Sequence, residues 1–474
     1  MGQEIDHVRF SDNDYAEFHR RLSEETRLLA QWQESGSFGT HEPTGGFELE
    51  AWLVDGEMQP VPANADFLAA LDDALAGPEL ARFNIEFNTE PVELRRDGLR
   101  RAQEDLRAHW LRARAKAEEL GYRLLLIGTL PTLDDRLLNL ANLSALNRYR
   151  ALNDQILAAR AGRPIRLDIV GRQHLRRWHR DVMLEAATTS FQIHWQLDPH
   201  RAGLYFNAAL MASAVLVAAG ANSPYLFGRD LWAETRIPLF EQAVDVGGYR
   251  AAVQGPLRRV GFGSDYVRQS LTEVFQENLE HFPVILPIVF DTPTERLAHL
   301  RLHNGTIWRW NRPLVGFGGD GSPHFRVEHR VLPAGPTLTD MFANAALYYG
   351  LVEYLAGEPP VLPFPQARDN FYQAARHGLN AHVVWIDGDK QRLRTLVLKR
   401  LLGQAEQGLR RMQIDESDIG HYLGVIERRT ALDRTGADWQ RRFLAKYPGC
   451  FQAMTRDYYI HHCSDIPVHQ WPDD

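Results

Sequence analysis

The chain has 474 residues, of which 44 % are hydrophobic and 24 % charged, with a formal net charge of −8 and two cysteines, Cys450 and Cys463. At about 150 residues per domain this allows two or three units, or one large enzyme domain with additions, and a core of that size needs no disulfide staples. The acidic balance disfavours a nucleic-acid binder, two cysteines near one end make no disulfide framework and suit a reducing cytosol, and the polar start MGQEIDHVRFSDNDY has no apolar signal core and lacks the Ser or Thr of a myristoylation site.

Phe18, Leu22, Leu28, Leu29 and Trp32 recur at helical spacing and predict a helix over 11–35. The run 35–46, rich in Gly, Ser and Pro, reads as a loop leading into a first strand. That strand, GFELEAWLV, places Glu48 and Glu50 on one face and Phe47 and Leu49 on the other, because residues two apart on a strand share a face. Helices are expected over 66–76 and 98–120, and between them NIEFNTEPVEL alternates Glu86, Asn88 and Glu90 with Ile85 and Phe87. YRLLLIGTLP (122–131) reads as a buried strand and 145–160 as a helix. TTSFQIHWQ alternates Gln192, His194 and Gln196 with Phe191 and Ile193. The apolar run Ala208–Ala221, about 14 residues with Ser213 and Gly220 inside it, is too short to span a bilayer and reads as a buried helix.

A turn over 221–236 and a helix over 267–281 follow, then a strand pair, 299–313 and 324–333, joined by the glycine-rich GFGGDGS. The second of these strands is the fourth alternating segment, with Arg326, Glu328 and Arg330 opposite Phe325 and Val327. Beyond Pro336 helices are expected over 338–356, 367–377, 388–412, 416–427 and 436–446, with GEPPVLPFP (357–365) as a boundary. The organisation is therefore an N-terminal helix and linker over 1–43, a catalytic domain over 44–356 and a C-terminal helical region over 357–474. Strands separated by long helical insertions suggest α+β with a mixed or antiparallel sheet.

One wet face is the ordinary reason for a strand to alternate. Ordinary solvated faces, however, mix Thr, Ser and Lys, whereas these four carry almost only metal-ligand and anion-binding side chains. Two bare carboxylates 4 Å apart repel by roughly 4 kcal/mol at an effective dielectric of 20. A wall of Glu48, Glu50, Glu86 and Glu328 therefore makes sense with bound cations, and the five ligands Glu48, Glu50, Glu86, His194 and Glu328 are expected in one metal-sized pocket. His194 adds a nitrogen donor, which suits Mn²⁺ as well as Mg²⁺. Arg326 and Arg330 flank Glu328, where their forks could grip phosphate oxygens. Arg236 and Arg148 come from elements outside the sheet and could hold nucleotide or a substrate carboxylate. The GFGGDGSPH stretch lacks the Gly-Lys-Ser/Thr of a P-loop.

Taken in order, GFELE, IEFNTEP, IGTLP followed by NRYRALND, TTSFQIHWQ, NSPYLFGRDLWAETR, and NGTIWRWNRP with FRVEHRVLPAGPT resemble the motifs of the glutamate–cysteine ligase type 2 family, the carboxylate–amine ligases with a glutamine-synthetase-like sheet. The resemblance covers about residues 44–356. It implies a curved, mainly antiparallel sheet with a polar active face, backed by helices and followed by the C-terminal helical region. It implies an ATP-dependent ligase that makes an amide through an acyl phosphate with Mg²⁺ or Mn²⁺. Within it, Arg330, Arg326 and Glu328 would be catalytic. Arg326, Arg330, Arg309 and Arg236 would hold nucleotide, and Arg148, Gln192 and Arg236 substrate. Glu48, Glu50, Glu86, His194 and Glu328 would hold metal. The implied partners are a small carboxylate such as glutamate and an amine, with cysteine the default, in the cytoplasm, without nucleic acid or membrane and with a homo-oligomer left open. Two other classes stand beside it: a metal-dependent hydrolase or phosphatase, and a ligase-like protein without activity.

Overall fold

The computed structural model of the protein describes residues 4–39, 42–246, 257–357 and 362–472. Its centre is one antiparallel sheet of eight strands: β1 (Thr44–Val54), β2 (Ala76–Pro78), β3 (Asn84–Asn88), β4 (Val92–Glu93), β5 (Arg123–Leu125), β6 (Phe191–Leu197), β7 (Asn311–Phe317) and β8 (Pro323–His329). The order across the sheet is β7-β8-β6-β1-β3-β2, with β4 and β5 also paired to β1. The four alternating segments of the sequence are therefore four consecutive neighbours, β8, β6, β1 and β3.

Register decides which side chains meet. Glu328 lies opposite His194, Glu48 lies opposite both Gln192 and Asn88, and Glu50 lies opposite Glu86. Directly opposed residues of an antiparallel pair share a face, so these groups line one side of the sheet. On the other side Phe47 and Phe191 stack, with ring centroids 5.3 Å apart, and Phe342 closes on Phe47 at 4.8 Å.

Five helices concern the site: α1 (Asp12–Ser35), α2 (Ala202–Ala219), α3 (Arg236–Ala243), α4 (Ala298–Gly305) and α5 (Leu338–Ala356). Ser11 caps α1 by accepting the Asp14 N–H, and the Asp14 carboxylate accepts the Ser11 N–H in return. The apolar helix α2 runs to 18 residues, longer than the 14-residue run predicts, and its length and composition would allow a membrane span. Here 89 % of it is buried inside the protein, where it packs on α5 as a core helix. Tyr349 of α5 donates to the His194 carbonyl at 3.0 Å and pins β6 to the core.

Residues 299–305, expected as a strand, form α4 instead. Their buried positions His299, Leu300, His303 and Asn304 have helical spacing, and Glu25 of α1 accepts both His299 Nδ1, at 2.6 Å, and the Leu300 N–H. The strand proper starts at Asn311. A hairpin of Ile165–Val170 and His174–His179, not expected from the sequence, lies outside the main sheet. The C-terminal helices continue the same core: Arg429, 1 % exposed, donates to Asp340 and Asn344 of α5 and to the Ala219 carbonyl of α2.

Candidate active site

Glu328 is the hub of the polar face. Arg312 of β7 grips it with both arms, Nε to Oε2 and Nη2 to Oε1, each at 2.8 Å, and Arg330 donates to Oε2 at 3.1 Å. Burial opposes ionisation of this nearly inaccessible carboxyl, but Arg312, Arg330 and His194 outweigh it and hold Glu328 well below the usual carboxylate range. The same Arg330 Nη1 also donates to Gln192 Oε1. Its guanidinium thus ties β8 to β6, with the Phe240 ring 6.0 Å from it.

The five expected ligands line one face of the sheet, where they fall into two groups. Glu48, His194 and Glu328 form the first, with one ligand atom of each within 4.8 Å of the others. His194 Nε2 lies 3.1 Å from Glu48 and 3.8 Å from Glu328, yet among the described residues neither ring nitrogen has a hydrogen-bond partner. Glu50, Glu86 and Glu79 form the second group within the same limit. Asn88 Nδ2 donates to Glu86 at 2.9 Å, and Glu50 accepts the Ser190 N–H, the Ser190 hydroxyl and Gln192 Nε2. Burial, together with Glu86 and Glu50, pushes the Glu79 carboxyl well above its usual range, and burial raises Glu50 against the pull of Arg330. Glu185, on the short turn before Ser190, is pushed up to about 8 by burial and by Glu50. The second group thus crowds three carboxyl groups, and burial with their mutual repulsion opposes ionisation of Glu79 and Glu50.

The other expected residues stand around these groups. Arg326 sits opposite Gln196 on the polar face, and its buried Nε has no hydrogen-bond partner among the described residues. Gln192 bridges Arg330 and Glu50. Arg148 is stacked 4.6 Å over the Tyr149 ring and donates to its hydroxyl, beside the carboxyl of Glu79. Arg236 of α3 is engaged from behind: it donates to the carbonyls of Arg330 and Val331 and lies 3.4 Å from Glu234. Arg309 lies outside the sheet's polar face, donating to Asn278 and Glu277. Glu90 is exposed beyond the end of β3. Sequence reasoning missed Arg312, Glu79 and Glu185. Arg312 shares the period of β7 and was legible there; Glu79 stands on a turn, where no periodicity marks it.

Chemically, the face joins two carboxylate groups able to hold divalent cations to two guanidiniums, of Arg326 and Arg330, able to face phosphate. No curated protein sequence matches this chain. Among solved structures it is similar to a glutamate–cysteine ligase from Francisella tularensis in complex with AMP, at 12 % identity and a TM-score of 0.55 over 92 % of this chain and 91 % of that one. It is also similar to a bifunctional glutathione synthetase from Pasteurella multocida, at 11 % identity and a TM-score of 0.51, covering 93 % of this chain but 55 % of that longer one. Both likenesses bear out the expected α+β fold, a curled antiparallel sheet backed by helices. Residues 44–464 match glutamate-cysteine ligase family 2 (GCS2), so this chain belongs to that family and is an ATP-dependent carboxylate–amine ligase.

Proposed function

We propose that the enzyme joins the side-chain carboxylate of a glutamate-type amino acid to a small amine, with an acyl phosphate between the two half-reactions. The observation that carries this is the sharing of one wall by two carboxylate groups and by Arg330, which holds Glu328 of the first group and, through Gln192, is linked to Glu50 of the second. Membership of the ligase family, and not the ligand set alone, separates this reading from a metal-dependent hydrolase or phosphatase.

The donor chemistry of the two groups fits Mg²⁺ or Mn²⁺: carboxylate oxygens in both, and in the first a histidine whose ring nitrogens lack hydrogen-bond partners. Glu48, His194 and Glu328 would hold one cation, and Glu50, Glu79 and Glu86 another. Bound there, the cations would neutralise phosphate charge and orient the triphosphate.

The chain's own residues do the rest. A substrate carboxylate oxygen attacks the γ-phosphorus, ADP leaves, and the amine then displaces phosphate from the acyl carbon. Arg330 and Arg326 meet the charge that builds on the transferring oxygens, and Arg312 keeps Glu328 ionised and oriented while they do so. Ser190 and Gln192 hold Glu50 in one orientation. Arg236 sets the backbone that carries Arg330, so it positions rather than binds. Arg148 and Tyr149 line the Glu79 side, where a substrate carboxylate can be gripped.

The test is phosphate release from ATP with Mg²⁺ across amino acids singly and in pairs, with mass spectrometry of the products. Release should be greatest with a pair that includes glutamate, with one amide formed per phosphate. Phosphate released at the same rate without any amine, and without an amide product, would overturn the reading.

A further inference from the structure

A second pocket lies beyond the β7 edge of the sheet, between α3, the segment 257–264 and the helix Phe364–His377. Its volume is about 470 Å³, ample for a small metabolite. Glu241 of α3 forms part of the lining, with a side chain only 7 % exposed. Both hydrogen bonds it accepts, from Trp310 Nε1 at 2.9 Å and from the Tyr372 hydroxyl at 2.7 Å, fall on Oε1. Among the described residues no hydrogen bond reaches Oε2, whose nearest cation is Arg258 Nη1 at 3.8 Å. Burial raises the Glu241 carboxyl above its usual range, and its two hydrogen-bond donors and Arg258 only partly oppose this. A carboxylate oxygen that lines a pocket and accepts no hydrogen bond there is open to a cationic donor. Arg258 and Arg368, both largely exposed, also line the pocket, while Phe262, Phe282 and Val260 give it apolar walls.

An acid with a spare oxygen, a nearby arginine it does not hydrogen-bond, and greasy walls together describe one ligand chemistry. We propose that this pocket binds the zwitterion of an apolar α-amino acid, with its ammonium on Glu241 Oε2, its carboxylate on Arg258 and Arg368, and its side chain against Phe262 and Phe282. Glu241 Oε2 and Arg258 Nη1, 3.8 Å apart without a hydrogen bond, form a loose ion pair whose two charges match the two charged ends of an amino acid lying beside it. The pocket communicates with the carboxylate wall through rings: Trp310 is hydrogen-bonded to Glu241 and stacked 5.4 Å from Arg236, which holds the Arg330 carbonyl. The binding does not rest on the ligase reading, because it requires neither ATP nor metal.

Isothermal titration calorimetry of the full chain with L-leucine and L-phenylalanine, without ATP or divalent metal, tests it. Saturable binding is expected for at least one, weakened tenfold or more in N-acetyl-L-leucine or N-acetyl-L-phenylalanine, which lose the ammonium, and in the corresponding amides, which lose the carboxylate. Glu241→Gln keeps an acceptor for Trp310 and Tyr372, so the fold should survive, and it should weaken the free amino acid about tenfold, the worth of one charged hydrogen bond. Arg258→Ser, a change at an exposed side chain, should do the same, while Glu328→Gln should leave this binding unchanged. No heat of binding with either amino acid, equal affinity in both pocket variants and the parent, or loss of binding in Glu328→Gln would each overturn the proposal.

Discussion

Glu328 stands on β8 and Arg330 one residue beyond its end, and their contacts set what each substitution should do. Glu328→Gln removes the charge that Arg312 and Arg330 share while keeping an acceptor in place. Turnover of ATP should fall by orders of magnitude, since a lost stabiliser of phosphoryl charge costs several kcal/mol of transition-state energy. Two buried guanidiniums would be left uncompensated, so the unfolding midpoint should also fall while circular dichroism stays native. Near-normal turnover in this variant would remove Glu328 from the mechanism. Arg330→Lys keeps a charge but loses the fork that reaches both Glu328 and Gln192. It should lower kcat more than it weakens nucleotide binding, measured by turnover beside equilibrium titration of ATP; unchanged kcat would make Arg330 only an ion-pair partner. At this scale the sequence was most legible where a residue obeyed its strand's period, as Glu48, His194 and Glu328 do. Glu79 escaped because it follows Pro78 on the turn between two strands, and only the pairing of Gly77 with Glu86 brings it to the second group.

Among elements, β1 does most of the assembly. It pairs with β3, β4, β5 and β6, and its alternation puts Glu48 and Glu50 on the reactive face and Phe47 and Leu49 in the core. Phe47 is 2 % exposed between Phe191, Phe342 and Tyr349. Phe47→Ala should therefore cost about 3–5 kcal/mol of stability, read as a lower urea midpoint, and should loosen the register that brings Glu48 beside His194. A loss below about 1 kcal/mol would mean that the site's geometry does not depend on that aromatic stack. The four polar strands could be read from the sequence because a period of two is local. Their order across the sheet could not, because it is made by contacts between segments far apart in the chain, such as Phe47 on Phe191. Segment 299–305 misled for a related reason: Leu300 and Leu302 alternate in HLRLHNG, but burial of Glu25 against His299 and Leu300 favours a helix there.

Across the whole molecule, the core that backs the sheet carries neutral histidines, and these set its response to acid. His303 of α4 is nearly inaccessible, and burial, reinforced by Arg259 and Arg309, lowers its pKa from 6.5 to about 4. The folded chain therefore binds fewer protons than the unfolded chain between those values. The contribution to stability is fully present above pH 6.5 and is lost as pH falls from 6.5 toward 4, to a total of about 3 kcal/mol. Urea unfolding at pH 7.5 and 4.5 should record that loss, and His303→Gln, which can still donate to the Asn278 carbonyl, should flatten it. An equally steep acid limb in that variant would assign the effect to other groups.

The reading that unites residue, sheet and family is that the polar wall activates a carboxylate by phosphorylating it. Substrate labelled with ¹⁸O in the reacting carboxylate tests this most directly, with mass spectrometry of the phosphate released in the presence of ATP, Mg²⁺ and amine. The account predicts one labelled oxygen passing into phosphate for each amide formed, and no transfer in Glu328→Gln. Amide formed with unlabelled phosphate, the label staying in the acid or leaving as water, would contradict it.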